Sequence, residues 1–350
     1  MDAMEIDGSM GEGGGQVLRT ALTLSMCLQQ PIRISNIRAG RKKTGLLRQH
    51  LAALKAAAEI SDASVTGANL GSEAVTFSPR TVKQGDYKFS IGSAGSTTLL
   101  AQTIIPALSL LDERSTIEVQ GGTHNGMAPS VDFVELALIP LLHKAGFTVE
   151  SELIQHGFYP NGAGTWRLRV HPRATTEPLE LTARGKLISK AAIATISNLQ
   201  PHIGERELDR VAKKLGWSPD QLQLKEVAAS GPGNVISLRC SYENLTEVFE
   251  AVGTLGVSAE RVAGRAISAA RCYLTGSHAV GEYLADQLLL PLVLGNGGAF
   301  STGALSSHCR TNMALINKMM QTECFQIAEG TTESGPHSTI TIPKGLALTR

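Results

Sequence analysis

One order of elements recurs along this chain: a strand, a glycine-rich turn, an apolar helix, a second strand, a glycine-containing loop and a second helix. In the first copy Met4–Asp7 reads as a strand, GEGGGQ (Gly11–Gln16) as the turn and Val17–Leu28 as the helix. Ile32–Ile37 is then a strand, RAGRKKTG a loop, and Leu46–Ile60 a helix with alanine-rich faces. The second copy runs Tyr87–Ile91, GSAGST, Thr98–Leu111, Thr116–Gln120, GGTHNGMAPS and Val131–Ala145. The spacing is roughly eighty residues, a length one α/β unit can fill. The fold class expected is therefore α/β (α+β).

A third copy is interrupted. TWRLRV, after HGFYPNGAG, has the pattern of its opening strand, but the helix pair that should follow is found only at Val280–Leu294 and after His308. The intervening stretch has a pattern of its own: Leu187–Ile196 is apolar, Glu205–Leu215 amphipathic, Val235–Cys240 strand-like and Ser258–Tyr273 helical. An inserted α/β domain explains this. The expected organisation is a discontinuous large domain over 1–184 and 276–340, an inserted small α/β domain over 185–275, and a tail over 341–350. A chain of 350 residues is long enough for such a pair of cores.

Charge narrows the function. Lys+Arg and Asp+Glu nearly cancel to +1, so there is no broad basic field of the kind that binds nucleic acid without selectivity. Any RNA contact should be local, at an end or in a pocket. The five cysteines are scattered and odd in number, which argues against a disulfide framework or a zinc site and suits a reducing compartment. The N-terminal MDAMEIDGSMGEGGGQ is acidic where a signal peptide would be basic and then apolar, and no apolar run reaches transmembrane length. A cytoplasmic location with no membrane partner is expected.

Several segments carry chemistry-bearing residues. GEGGGQ, followed by Arg19, can cradle phosphate on free N–H groups, or can simply be a turn requiring positive φ. Glu12 within it is an acidic group beside a would-be anion site, which calls for a cation. Arg38, Arg41, Lys42, Lys43 and Arg48 crowd one loop and the helix it opens, ahead of Gln49 and His50. Guanidinium forks suit a terminal phosphate, although a solvated charge run has the same composition. GSAGST repeats the turn logic with hydroxyls, with Gln102 further along its helix and Pro129 closing the next loop. Tyr283 and Asp286 share one face of an apolar helix that also carries Gln287, lining a pocket or facing solvent. His308, in SSHCRTN, falls at a helix start, where a cap or surface role is the ordinary reading.

Taken in order, GEGGGQ-x-L-R-T, R-A-G-R-x-K-x-G-L-L-R-Q-H, GSAGST, H-G-F-Y-P-x-G-x-G, G-P-G-N, V-G-E-Y-L-A-D-Q-L and S-S-H-C-R-T-N closely resemble the RNA 3'-terminal phosphate cyclase family across nearly the whole chain. The resemblance implies a large domain of three repeated units, each of two helices on a four-stranded sheet, with a smaller inserted α/β domain. It implies ATP-dependent conversion of an RNA 3'-phosphate to a 2',3'-cyclic phosphate through a histidine–AMP intermediate and RNA(3')pp(5')A, releasing AMP and pyrophosphate. His308 would be the nucleophile. Gln102, Pro129, Tyr283, Asp286 and Gln287 would hold ATP or AMP with it. Arg19, Arg38, Arg41, Gln49 and His50 would hold the RNA phosphates, and Glu12 with Gln102 would contact Mg²⁺ or Mn²⁺. RNA 3'-phosphate ends and ATP are the expected partners, and a homodimer is allowed for. Two rivals remain: a cyclase-like ribosome-assembly factor, whose members lack the histidine, and an enolpyruvyl transferase built on related repeats.

Overall fold

A computed structural model describes residues 2–344. Its first unit comprises β1 (Met4–Asp7), α1 (Gly15–Leu28), β2 (Ile32–Ser35), α2 (Arg48–Ile60), β3 (Ser64–Thr66) and β4 (Val75–Ser78). The sheet order is β1-β2-β4-β3, with β1 and β2 parallel and the other pairs antiparallel. A parallel pair needs a crossover, and α1 supplies it. Strand alternation decides which face is covered: Ile32 and Ile34 are buried where Arg33 is exposed.

The second unit repeats the plan. It contains β5 (Asp86–Ser90), α3 (Thr97–Ser109) and β6 (Ser115–Gly121), then a continuous helical segment. That segment starts as α4 (Val131–Phe133), widens to a π-helix at Val134–Leu138 and ends as α5 (Ile139–Lys144), with Pro140, which has no N–H to offer, next to the widened stretch. β7 (Val149–Gln155) and β8 (Gly164–Val170) complete a sheet of order β5-β6-β8-β7 with the polarity of the first.

TWRLRV is therefore not the start of the third unit. It lies in β8, an inner strand of the second sheet, antiparallel to both β6 and β7. The third unit opens at β9 (Leu179–Leu181), only three residues long, and a segment so short has too few alternations to stand out in the sequence.

Next comes the insertion: β10 (Leu187–Ser197), α6 (His202–Leu215), β11 (Leu222–Glu226), β12 (Gly233–Tyr242), β13 (Thr246–Val252) and α7 (Ala259–Thr275). Its sheet has a different order, β11-β10-β12-β13. The helices bury Val211, Trp217, Ile236, Leu238, Ala263 and Ile267 in a core separate from the one running through the repeated units. The third unit then resumes with α8 (Glu282–Leu294), β14 (Gly298–Thr302), α9 (Ser307–Met320), β15 (Gln326–Thr332) and β16 (Gly335–Ile342). Its sheet, β15-β16-β14-β9, read from β9, is the arrangement of the first two. Thr341 and Ile342 of the expected tail end β16, and residues 345–350 lie outside the described residues.

The insertion is joined to the repeated units by polar contacts. Arg239 reaches Asp132 at 2.6 Å, Ser130 Oγ donates to Glu250 at 2.8 Å, and the Gly281 N–H donates to Glu247 at 2.6 Å. The HGFYPNGAG and GPGN motifs meet at this joint. A Cβ on Gly233 would lie 2.0 Å from the Phe158 ring, and Asn161 Nδ2 donates to the Ser230 carbonyl at 2.9 Å. Among the described residues no helix is long and apolar enough to cross a membrane.

β14 holds the third sheet together, pairing with β9 on one side and β16 on the other, and its Phe300 is fully buried. Phe300→Ala should lower the unfolding free energy by about 3–5 kcal/mol in a urea titration, because transfer and cavity costs add there.

Candidate active site

The three units place their first helices, α1, α3 and α8, in equivalent positions. Counted from each helix start, the fifth residues are Arg19, Ala101 and Asp286, and the sixth are Thr20, Gln102 and Gln287. The repeat thus brings together residues far apart in sequence. Gln102 Nε2 donates to Gln287 Oε1 at 2.9 Å, and Gln287 in turn donates to the Tyr283 carbonyl. Thr20 Oγ1 donates to Asn312 Oδ1 at 2.8 Å, and Asn312 Nδ2 to the Asp286 carbonyl at 3.1 Å, which ties α9 to both α1 and α8.

Arg19 and Asp286 sit inside this junction. Burial pushes the Asp286 carboxyl up to about 7, opposed by Arg19 and by a hydrogen bond from Gln16. Burial likewise lowers the Arg19 guanidinium to about 10, with Asp286 opposing. Each charge loses water and is partly compensated by the other.

His308 stands at the rim. Ser306 caps α9, its Oγ accepting from the Cys309 N–H at 3.1 Å, so His308 lies in the first turn, at the end of the helix that favours anions. Its Nδ1 is 3.3 Å from Gln16 Oε1 and its Nε2 is 2.9 Å from Glu12 Oε2. The imidazole is 47% exposed and Glu12 only 21%, so the ring can be reached from solvent while the carboxylate behind it is held. Glu12 is fixed further by Arg41 at 3.0 Å and by Ser307 Oγ at 2.7 Å.

The glycine turn explains how the cations approach. Gly11 and Gly13 have φ of +57° and +55°, conformations that favour glycine, so the turn reading of GEGGGQ is correct for these two. Gly15 serves a second purpose. A Cβ there would lie 2.4 Å from His50 Nε2 and 3.1 Å from Arg19 Nη1, so the residue is bare where those side chains converge.

His50 is buried, and its Nδ1 accepts from the Leu47 N–H at 3.2 Å, which puts any single ring proton on Nε2, facing Gly15. Burial first, then the charges of Arg19 and Arg38, hold its pKa down to about 3. Burial and the Arg41 charge likewise lower that of Arg38. Arg19, Arg38 and Arg41 therefore gather their charges around a neutral His50.

The remaining expected residues are placed less tightly. Arg38, at φ 59°, donates to the carbonyls of Lys43 and Gly45, bracing its own loop. Gln49 Oε1 accepts from the Ser96 N–H at 3.3 Å, linking α2 to the GSAGST turn. The Pro129 carbonyl accepts from Thr98 at 2.7 Å, and Tyr283 is exposed on the first turn of α8. Gln16, Ser307, Thr311 and Asn312 belong to the cluster as well, Thr311 through the Glu12 N–H at 3.3 Å. Each lies inside or beside a motif picked out in the sequence, but uncharged polar residues at turns and helix starts carry no signal beyond capping.

A family model described as RNA 3'-terminal phosphate cyclase matches residues 10–326. A protein of Ectopseudomonas mendocina (strain ymp) named RNA 3'-terminal phosphate cyclase is 46% identical over 333 residues, covering 94% of this chain and 96% of its own. Proteins of the same name from Koribacter versatilis (44% identical, 94% of this chain and 93% of that one) and Salmonella typhimurium (46%, 90% and 93%) are similar. A solved EPSP synthase from Acinetobacter baumannii aligns over 97% of this chain and 65% of that one at 11% identity with a TM-score of 0.29.

The His50 environment has a measurable consequence. Its folded-state pKa of about 3 lies below the ordinary imidazole value of 6.5, so the stability gained by keeping it neutral is full above 6.5 and is lost as pH falls from there toward 3. His50→Gln should flatten that part of the acid-unfolding slope in urea titrations. The His50 ring resonances should not titrate between about pH 5 and 8.

Proposed function

The chain belongs to the RNA 3'-terminal phosphate cyclase family, and on that footing we propose that it converts an RNA 3'-terminal phosphate to a 2',3'-cyclic phosphate in the cytoplasm at the expense of ATP, with His308 as the transient carrier of AMP. One observation carries the reading. A reachable imidazole at the first turn of α9 stands beside arginines gathered on a bare glycine turn, which is what a nucleophile and a phosphate site require of each other.

In the first step an imidazole nitrogen of His308 bonds to the α-phosphorus of ATP. The P–O bond to the β-phosphate breaks, and pyrophosphate leaves with its electron pair. An oxygen of the RNA 3'-phosphate then attacks the same phosphorus, the P–N bond returns its electrons to His308, and RNA(3')pp(5')A results. The neighbouring ribose 2'-OH attacks the 3'-phosphorus, gives its proton to solvent and expels AMP. Ring closure at five members is favoured by proximity, so no side chain need act as a dedicated base.

Arg41 and Arg38, with the neutral His50 Nε2–H and the deeper Arg19, would hold phosphate oxygens, and Gln49 would order the adjoining turn. Tyr283 and Pro129 offer apolar surfaces for the adenine, with Asp286 and Gln287 beneath. Among the described residues no three His, Cys, Asp or Glu side chains gather to cage an ion. Glu12 and the amide oxygen of Gln102 are hard donors, fitting Mg²⁺ or Mn²⁺ completed by phosphate oxygens and water. Bound there, the ion would offset triphosphate charge.

The reading is tested by incubating the protein with α-labelled ATP and Mg²⁺. Acid-labile, alkali-stable label should appear on the wild type and be absent from His308→Ala, and label persisting in that variant would refute it. Arg41→Ala should slow cyclisation of a pre-adenylated RNA end by about 10-fold or more, with a smaller effect on labelling of the enzyme. Equal losses in the two assays would move Arg41 to the ATP site.

A further inference from the structure

The first turn of α8, which bears Tyr283, is capped from outside its own unit. Gly281 is the N-cap and has no side chain to offer. The third helical residue, from which a Glu or Gln would reach back to the N-cap N–H, is Leu284. Glu247 of the inserted domain supplies what both lack. Its Oε1 accepts from the Gly281 N–H at 2.6 Å, and a Cβ on Gly281 would lie 3.0 Å from its Oε2, so the glycine is bare where the carboxyl arrives. Burial pushes that carboxyl up to about 8, against the pull of the Gly281 N–H and of Arg184. Charged or neutral, it keeps an oxygen for the bond.

The approach to Gly281 is held from both domains. Tyr273 Oη, near the end of α7, donates to the Ala279 carbonyl at 2.6 Å. The Ala279 N–H donates to Ser301 Oγ and the Val280 N–H to the Ser301 carbonyl, each at 2.9 Å. Further along α8 the anchors come from the repeated units, since Asp286 accepts from Gln16 and Gln287 from Gln102. Tyr283, 64% exposed, lies between those anchors and the Glu247 contact. Resting on the reading that Tyr283 offers its ring to adenine, we propose that Glu247 is a positioning residue for the nucleotide. By fixing the start of α8 from the inserted domain it sets where the Tyr283 ring stands, so the insertion takes part in adenine binding through α8.

The arrangement divides the site into two ends. Tyr283 is the second residue of α8, in the turn where a helix frays when its N–H groups lack acceptors. A frayed turn must be ordered as the nucleotide arrives, at a cost in affinity, and Glu247 orders it beforehand. Asp286 and Gln287 sit one turn further on and keep their own partners without Glu247. Loss of Glu247 should therefore loosen the base end of the site and spare the end at which His308 acts. The role shows as a change in nucleotide affinity with little change in rate once nucleotide is bound.

Affinity is read by calorimetry with α,β-methylene-ATP and Mg²⁺, the bridging carbon preventing nucleotidyl transfer. Glu247→Ala should weaken binding by about 5- to 30-fold, while single-turnover enzyme–AMP formation at saturating α-labelled ATP changes by less than about 3-fold. Glu247→Gln, which keeps an oxygen for Gly281, should recover most of the loss. In a Tyr283→Ala background, Glu247→Ala should add less than about 2-fold, because the two act through one group. Unchanged affinity in Glu247→Ala, a Glu247→Gln protein as weak as Glu247→Ala, a limiting rate that falls as far as the affinity, or full additivity with Tyr283→Ala would each overturn the inference. If Glu247→Ala does not fold, Glu247→Asp, whose carboxyl is drawn back by about 1.5 Å, takes its place with the same expectation. A Tyr283→Ala protein that binds the analogue as the wild type does would instead refute the adenine reading, and the inference with it. The two failures are thus distinguishable, and the affinity measurements do not depend on His308 carrying AMP.

Discussion

Arg19 on α1 and Asp286 on α8 are both partly buried, and α1 reaches α8 there through the hydrogen bond that Gln16 gives to the Asp286 carboxyl. Desolvating an ion costs several kcal/mol, and the attraction of its partner returns that cost only in part. An apolar pair would pack as well or better. What the charges provide is specificity of placement: Gln16 is held by the Asp286 carboxylate and Asn312 by its carbonyl, while Thr20 reaches Asn312 from α1. The helix bearing His308 is registered against the rest of the molecule through these bonds. Rim geometry thus follows from the hydrogen bonds gathered around Asp286 and Asn312.

The repeat was legible because glycine turns and apolar helices alternate with a period that sequence inspection can detect. Its third copy was misread at one point. TWRLRV has good strand alternation, but which strand of which sheet it forms depends on pairing with β6 and β7, which no local pattern encodes. β9, by contrast, is three residues whose strand character exists only through its partner β14.

The candidate site divides in the same way. Glu12 and Arg41 stood out as charged groups in glycine-containing loops and His308 only through the family resemblance, and the three converge. Gln16 has no titratable group and ended a glycine turn, so its contact with His308 emerged only from the meeting of α1 and α9. The two readings of GEGGGQ both hold, at different glycines: Gly11 and Gly13 answer to backbone conformation, Gly15 to the approach of His50 and Arg19. Burial of His50 was likewise invisible in a segment that reads as a charged surface.

The separation of β9 from β14 bears on how the molecule assembles. The first two units close over short connections, whereas Leu179 must find Gly298 across the whole inserted domain. Closing a loop costs entropy that grows with its length, and non-local pairings form slowly. An insertion that has already folded on its own core shortens the effective loop, because Arg184 at its entry binds the carbonyls of Tyr273 and Gly276 at its exit. Even so, this pairing spans a longer stretch of chain than those that close the first two units. His308 and Asp286 both belong to the third unit, so the cluster they form with Glu12 and Gln16 depends on the pairing of β9 with β14.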